Sequence, residues 1–277
     1  MPFGLLFMVS VIAGLVGAMT GIGGGLVLVP VLTFFSGIDI KQAIAVSNLA
    51  TIVVAISATV GYIRRHMPNL NVSAFLQIFA ILGAWLGALI TVSLGKRPIF
   101  FFYGIFLLFS CSVLWPKRKK SVTIVPQQKR ASSPSRWQGS YYDYAEKKTI
   151  HYRAERPRLA GLLMFGAGFI SGALSIGTTV FTILVHEGIM GLPTKVSLPT
   201  SQLIIAVMAL ISTNVYLERG LINAALVAPV ILGVPFGAFV GSKLFISIKN
   251  RAARFILLIG VVLLGIQMIL RGVWVTR

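Results

Sequence analysis

Apolar residues run along this chain in ten stretches, 3–19, 22–35, 43–63, 72–94, 98–115, 159–174, 176–185, 196–217, 221–248 and 255–270, separated by polar or glycine- and proline-containing breaks. The runs lack the period-2 alternation of barrel strands, so each reads as a helix. Backbone amides in lipid must be satisfied inside a helix or a closed barrel, which leaves a helical bundle. Crossing a hydrocarbon core of about 30 Å takes about 20 helical residues, and most of these runs are long enough. Two are not: 22–35 and 176–185. The pattern predicts an all-α, polytopic membrane bundle of about 8–10 segments, with the two short ones broken or re-entrant.

The pattern also repeats. "IGGGLVLVPVLTFFSGIDIKQAIAVSNLATIVVAISATVGY" from Ile22 lies over "IGTTVFTILVHEGIMGLPTKVSLPTSQLIIAVMALISTNVY" from Ile176 without a gap, at an offset of 154. The register pairs Gly23 with Gly177, Lys41 with Lys195, Ser47 with Ser201, Thr59 with Thr213 and Tyr62 with Tyr216. "ILGAWLGA" from Ile81 then pairs with "ILGVPFGA" from Ile231. The expected organisation is a first membrane repeat over 1–116, a loop over 117–157 and a homologous second repeat over 158–277. The first run lacks a basic leader and continues into further apolar sequence, so it reads as a membrane segment and not as a signal peptide.

Composition agrees: 56% of the 277 residues are hydrophobic, 11% are charged and mean hydropathy is +0.89. A formal charge of +19 would suggest a nucleic-acid ligand in a soluble chain. Here about half of the basic residues crowd into the central loop, with no nucleic-acid-binding motif beside them, so no such partner is expected. The positive-inside rule places that loop in the cytoplasm of a multi-pass cell-membrane protein. It reads either as a solvated linker or as a regulatory segment. The one cysteine, Cys111, offers neither a disulfide nor a metal cluster and reads as a packed small side chain.

The chemistry concentrates at the breaks. Unwound backbone at membrane depth survives only when buried in protein or lining a cavity, and a helix that restarts there presents free N–H groups and its positive dipole end. Thr20, Gly23, Gly24 and Gly25 in the first half, and Ser175, Gly177, Thr178 and Thr179 in the second, are therefore candidates for binding an anion. Isolated glycines such as Gly83 and Gly87 read instead as helix-packing positions. Ser47 and Asn48, with Thr200, Ser201 and Gln202 at the equivalent place, supply neutral donors; they serve either an oxyanion or hydrogen bonds between helices. Pro199 interrupts the helix that carries the second set. Lys41 and Lys195 snorkel to the surface and attract anions at a vestibule. His186 and Glu187 end the second short run and either relay a proton that accompanies the anion or sit at the interface. No zinc site is expected, because no second ligand follows at helical spacing. Carboxylates are scarce outside the loop, which argues against a cation as the moving species.

"GLVGAMTGIGGGLVLVPVL" followed by "AIAVSNLATIVVAISATVGY" resembles the amino-terminal signature of the sulfite exporter TauE/SafE family, and "GFISGALSIGTTV" with "LPTSQLIIAV" resembles its second copy. The resemblance implies a two-repeat permease for small sulfur-containing anions such as sulfite, thiosulfate or organosulfonates. The chain departs from the pattern at Thr178, Thr179 and Leu184, and at Asn48 and Gln202, which leaves the substrate open. Alternating access at a midplane site is the expected mechanism, with no covalent catalysis and no cofactor. Protons are a candidate coupling ion, and a homo-oligomer is compatible with the reading. The rivals are an anion channel with the same lining and a membrane-embedded signalling or assembly protein that acts through its basic loop.

Overall fold

The computed structural model describes residues 3–20, 25–35, 37–63, 67–114, 137–143, 148–176, 179–247 and 251–274. Its helices are α1 (Phe3–Thr20), α2 (Gly25–Phe35), α3 (Ile40–Ile63), α4 (Leu70–Ser93), α5 (Lys96–Leu114), α6 (Pro157–Leu174), α7 (Thr179–Ile183), α8 (Thr194–Glu218), α9 (Ala224–Ser247) and α10 (Arg251–Trp274). A π-helical stretch, Leu184–Ile189, continues α7. Four of the helices, α3, α4, α6 and α8, are long and apolar enough over their described residues to cross a membrane. Their outer sides carry large exposed apolar residues, among them Ile78, Leu82, Trp85 and Leu162, as a lipid-facing surface requires. The all-α polytopic bundle expected from the pattern is the architecture observed.

Glycine decides which helices pair. A Cβ at Gly83, Gly87, Gly168 or Gly172 would strike backbone across the α4–α6 contact, and one at Gly14, Gly233 or Gly237 would do so across α1–α9. The packing reading of Gly83 and Gly87 is thus the right one, since only a missing side chain allows the backbones to meet. Both pairs are parallel: Gly83 faces Phe165 while Gly87 faces Phe169, and Gly233 faces Phe7 while Gly237 faces Val11. α5 packs antiparallel on α10, where Gly272 meets Phe100 and Gly265 meets Leu107. α3 packs against α8.

These pairings define two faces. α3 starts at face A, where the Lys41 ammonium donates to the Val92 carbonyl at the end of α4 (2.6 Å) and Lys96 pairs with Asp39 (2.6 Å). α3 therefore ends, and α4 and α8 begin, at face B, where the Asn69 N–H donates to Thr200 Oγ1 at 3.1 Å. α2 returns to face A: Arg271, near the end of α10, donates to the Thr33 carbonyl at 2.5 Å and stacks over Phe34 and Phe100. The π-helical stretch returns to face B, because the Glu155 N–H, just before α6, donates to the Met190 carbonyl at 3.0 Å. Neither short segment crosses. α1 with α2 is a hairpin entered and left at face A, and α6 with α7 and the π-helical stretch is a hairpin entered and left at face B.

Part of the central loop is folded. β1 (Gln138–Asp143) and β2 (Lys148–Arg153) form an antiparallel ribbon with Gln138 opposite Arg153 and Asp143 opposite Lys148. Trp137 packs edge-on against Phe75 (4.9 Å between centroids), and Tyr141 and Tyr152 join the buried cluster of Val72, Leu76 and Val196. The Asn69 amide donates to the Tyr152 hydroxyl at 3.1 Å, and burial raises that phenol above its ordinary pKa, keeping it neutral. The solvated-linker reading is corrected for these residues: aromatic positions hidden among the charges give the ribbon an apolar side that docks on face B.

Candidate functional site

The tips of the two hairpins meet. At Gly25, the first residue of α2, an added Cβ would collide with the Ser175 carbonyl at the end of α6, and would lie 2.9 Å from Ser47 Oγ and 3.3 Å from Thr51 Oγ1 on α3. At about 1.5 Å per residue, the eleven residues of α2 put this junction about 15 Å below face A, near the middle of a core of about 30 Å. Gly25, Ser47 and Ser175, three of the positions singled out from sequence, are neighbours in space.

The local backbone is shaped for this meeting. Ser175 caps α6 in the left-handed region, at φ 52° and ψ 22°, with its N–H donating to the Ser171 carbonyl at 2.8 Å. That conformation suits glycine, and its counterpart at the offset of 154 is Gly21. A serine held there costs on the order of 1 kcal/mol, a strain that clusters at functional positions. Two buried tyrosines tie the tips to the frame. The Tyr103 hydroxyl of α5 donates to the Gly25 carbonyl at 3.1 Å, and the Tyr216 hydroxyl of α8 donates to the Gly172 carbonyl at 2.9 Å.

Buried hydroxyls divide into those satisfied within their own helix and those that are not, the second group including Thr59, Ser73, Ser197 and Thr213 as well as the residues at the tips. Ser10, Thr33, Thr51, Ser57, Ser93, Thr200 and Ser212 each donate to the carbonyl four residues back, as hydroxyls in membrane helices commonly do. Ser47 Oγ, Ser175 Oγ and Asn48 Nδ2 are buried with no partner. An unmet buried donor costs about 1–3 kcal/mol, which makes the three candidates for a ligand's acceptor atoms. With the N-terminal amides of α2, the group offers neutral donors to an anion.

The remaining candidates divide. Thr179 is buried in the first turn of α7, and Thr182 Oγ1 donates to its carbonyl at 3.0 Å. Ser201 lies seven residues into α8 from face B, and its Oγ lies 3.0 Å from His186 Nδ1. His186 is fully buried within the protein. Glu187 is half-buried and hydrogen-bonded by Thr194. Thr200 belongs to the Asn69 contact under the ribbon, and Gln202 is half-buried beside Ser201. Lys195 is exposed in the first turn of α8, whereas Lys41 is partly buried and spent on Val92. Pro199 does not interrupt its helix: α8 runs unbroken from Thr194 to Glu218. The side chains of Thr20 and Cys111, together with Gly23, Gly24, Gly177 and Thr178, lie outside the described residues. Among the described residues no three metal-ligating side chains come together.

Thr51, Tyr103 and the π-helical turn escaped the sequence reading. Thr51 lies one turn beyond Ser47 and was legible as the same face; Tyr103 sits in an ordinary aromatic run. π-Helical turns carry no simple signature but gather at functional sites, and this one turns His186 inward.

Residues 6–268 match the family described as Sulfite exporter TauE/SafE. The chain is similar to the "Probable membrane transporter protein YunE" of Bacillus subtilis (strain 168), 26% identical over 99% of this chain and 100% of that one. It is also similar to the "Probable membrane transporter protein YdhB" of the same organism, 23% identical over 86% of this chain and 87% of that one. No solved structure matches the chain.

Proposed function

Because the chain belongs to the sulfite exporter TauE/SafE family of membrane transporters, we propose that it is a permease for a small, sulfur-containing oxyanion, bound where the two hairpin tips meet. The carrying observation is the junction of Gly25 with Ser175 beside Ser47 Oγ, together with the buried, unpartnered side chains of Ser47, of Ser175 and of Asn48, the next residue of α3. A tetrahedral or pyramidal oxyanion has several acceptor oxygens and no donor of its own when fully ionised. It matches a pocket of neutral donors at a helix N-terminus.

Alternating exposure follows from the opposed hairpins, one opening from each face. The offset of 154 relates α1 to α6 and α3 to α8, and the "ILGAWLGA" and "ILGVPFGA" match relates α4 to α9. Exchanging the halves converts the α1–α9 pair into α6–α4 and returns α3–α8 to itself. This pseudo-symmetry supports an inverted two-repeat carrier in which the same rearrangement opens either side. Arg156 and Arg158 stand at the start of α6, Lys195 at the start of α8 and Arg251 at the start of α10, all at face B with the central loop. The positive-inside rule makes face B cytoplasmic.

Purified protein in liposomes, loaded with unlabelled thiosulfate and offered labelled thiosulfate, sulfite, sulfoacetate or sulfate, tests the reading. Saturable uptake of a sulfur oxyanion, accelerated by internal substrate, is expected. Conductance without exchange would make the same lining a channel, and absence of uptake for every anion would overturn the proposal.

A further inference from the structure

The tip pocket leaves one physical problem open. Its donors are neutral, and among the described residues no Asp, Glu, Lys or Arg is fully buried, so a bound anion meets no fixed countercharge. An unpaired charge in a dry interior is costly. Among the described residues the buried interior holds one imidazole, His186, whose Nδ1 faces Ser201 Oγ at 3.0 Å and whose Nε2 has no partner there. Ser197, one turn earlier on α8, is also buried with an unpartnered Oγ. A ring held by one nitrogen, with the other unsatisfied, has the arrangement of a proton acceptor.

Building on the permease reading, we propose that His186 is the coupling site, taking one proton at Nε2 for each anion carried while Ser201 holds the ring through Nδ1. The proton comes from water at face B, forms the Nε2–H bond of an imidazolium, and returns to water when the anion departs. The imidazolium offsets the charge of the cargo across the bundle, and neither species is moved at full electrostatic cost. Glu187, half-buried with Oε1 unpartnered, lies one residue nearer face B and is placed to pass the proton inward. The charged groups on the packed elements are Arg158 on α6, Lys195 and Glu218 at the ends of α8 and Lys96 and Arg97 at the start of α5, all exposed, with exposed Glu155 beside Met190; the buried phenols of Tyr216 on α8 and Tyr103 on α5 are the other titratable groups described there. Sequence alone marks "HE" as unusual here. Its function becomes legible through burial and the unmet nitrogen.

The test is thiosulfate flux into liposomes holding a trapped pH dye, with the membrane potential clamped. Thiosulfate carries no exchangeable proton near neutral pH, so any lumen acidification reports the protein. Wild type is expected to acidify the lumen in proportion to uptake, and His186→Gln, which keeps a polar partner for Ser201, to lower the protons moved per anion at least tenfold. Ser201→Ala, which removes the side-chain partner of Nδ1, is expected to displace the pH midpoint of uptake. Thiosulfate uptake by wild type without acidification overturns this inference and leaves the permease reading standing. An unchanged proton-to-anion ratio in His186→Gln does the same, whereas absence of any uptake by wild type removes the reading on which the inference rests.

Discussion

The carbonyl of Ser175 occupies the space that a β-carbon on Gly25 would need. Two chain breaks more than a hundred residues apart thereby close on each other, and the contact exists only because one partner has no side chain. Gly25→Ala forces a methyl group against backbone, which cannot rotate away, at a cost of about 1–3 kcal/mol. Thiosulfate uptake should fall by about tenfold or more while the protein still inserts, with a lowered melting temperature in detergent. Wild-type uptake by the alanine variant would show that the tips need not touch.

Ser175→Gly should separate stability from function. Glycine adopts the left-handed conformation without strain, so the fold gains about 1 kcal/mol, or about 2–4 °C in melting temperature for a chain of this size. The same change removes one of the unpartnered hydroxyls and should weaken anion binding. A variant that is more stable and binds equally well would demote Ser175 to a capping residue.

Ser47→Ala and Asn48→Ala each delete a donor. A hydrogen bond to a charged group is worth about 1.5–3 kcal/mol, so the concentration for half-maximal uptake should rise about 10- to 100-fold in each variant. The double variant should lose less than the sum, because neighbouring residues share a ligand. Equal affinities in all three proteins, measured by substrate competition, would place the anion elsewhere.

The ribbon on face B carries a polar contact, Asn69 with Tyr152, within an apolar seam. Tyr152→Phe removes the bond to Asn69, worth about 1 kcal/mol, and should speed amide exchange across 138–153 with little change in helix protection. Deleting residues 121–135, which spares the ribbon, should leave transport intact. Loss of a cellular phenotype with transport preserved would favour the signalling rival.

Sidedness follows from the hairpins. A cysteine at Arg158 should react with a membrane-impermeant thiol reagent only from the cytoplasm, and one at Arg97 only from the opposite side, in a background lacking Cys111. Labelling of both from one side would break the assignment of faces. Lys96 and Arg97 lie opposite the other basic pairs however the short runs are counted, because α4 alone crosses between the end of α3 and Lys96.

Hydrophobic patterning was sufficient for the class of the fold, since a helix that must satisfy its own amides in lipid leaves its length and breaks in the sequence. Gly25, Ser47 and Ser175 were legible as candidates for the same reason: breaks in apolar runs, and polar residues beside them, stand out in the sequence. Long-range packing supplied what periodicity cannot carry. Whether the broken segments cross or turn back depends on which helices Gly83, Gly172 and Gly237 allow to touch, and a missing side chain names no partner. That His186 is buried beside Ser201 could not be read from its run, because burial belongs to the neighbours and not to the residue. The docked ribbon was hidden by composition: a few aromatic contacts outweigh a charged stretch once α4 offers them an apolar surface.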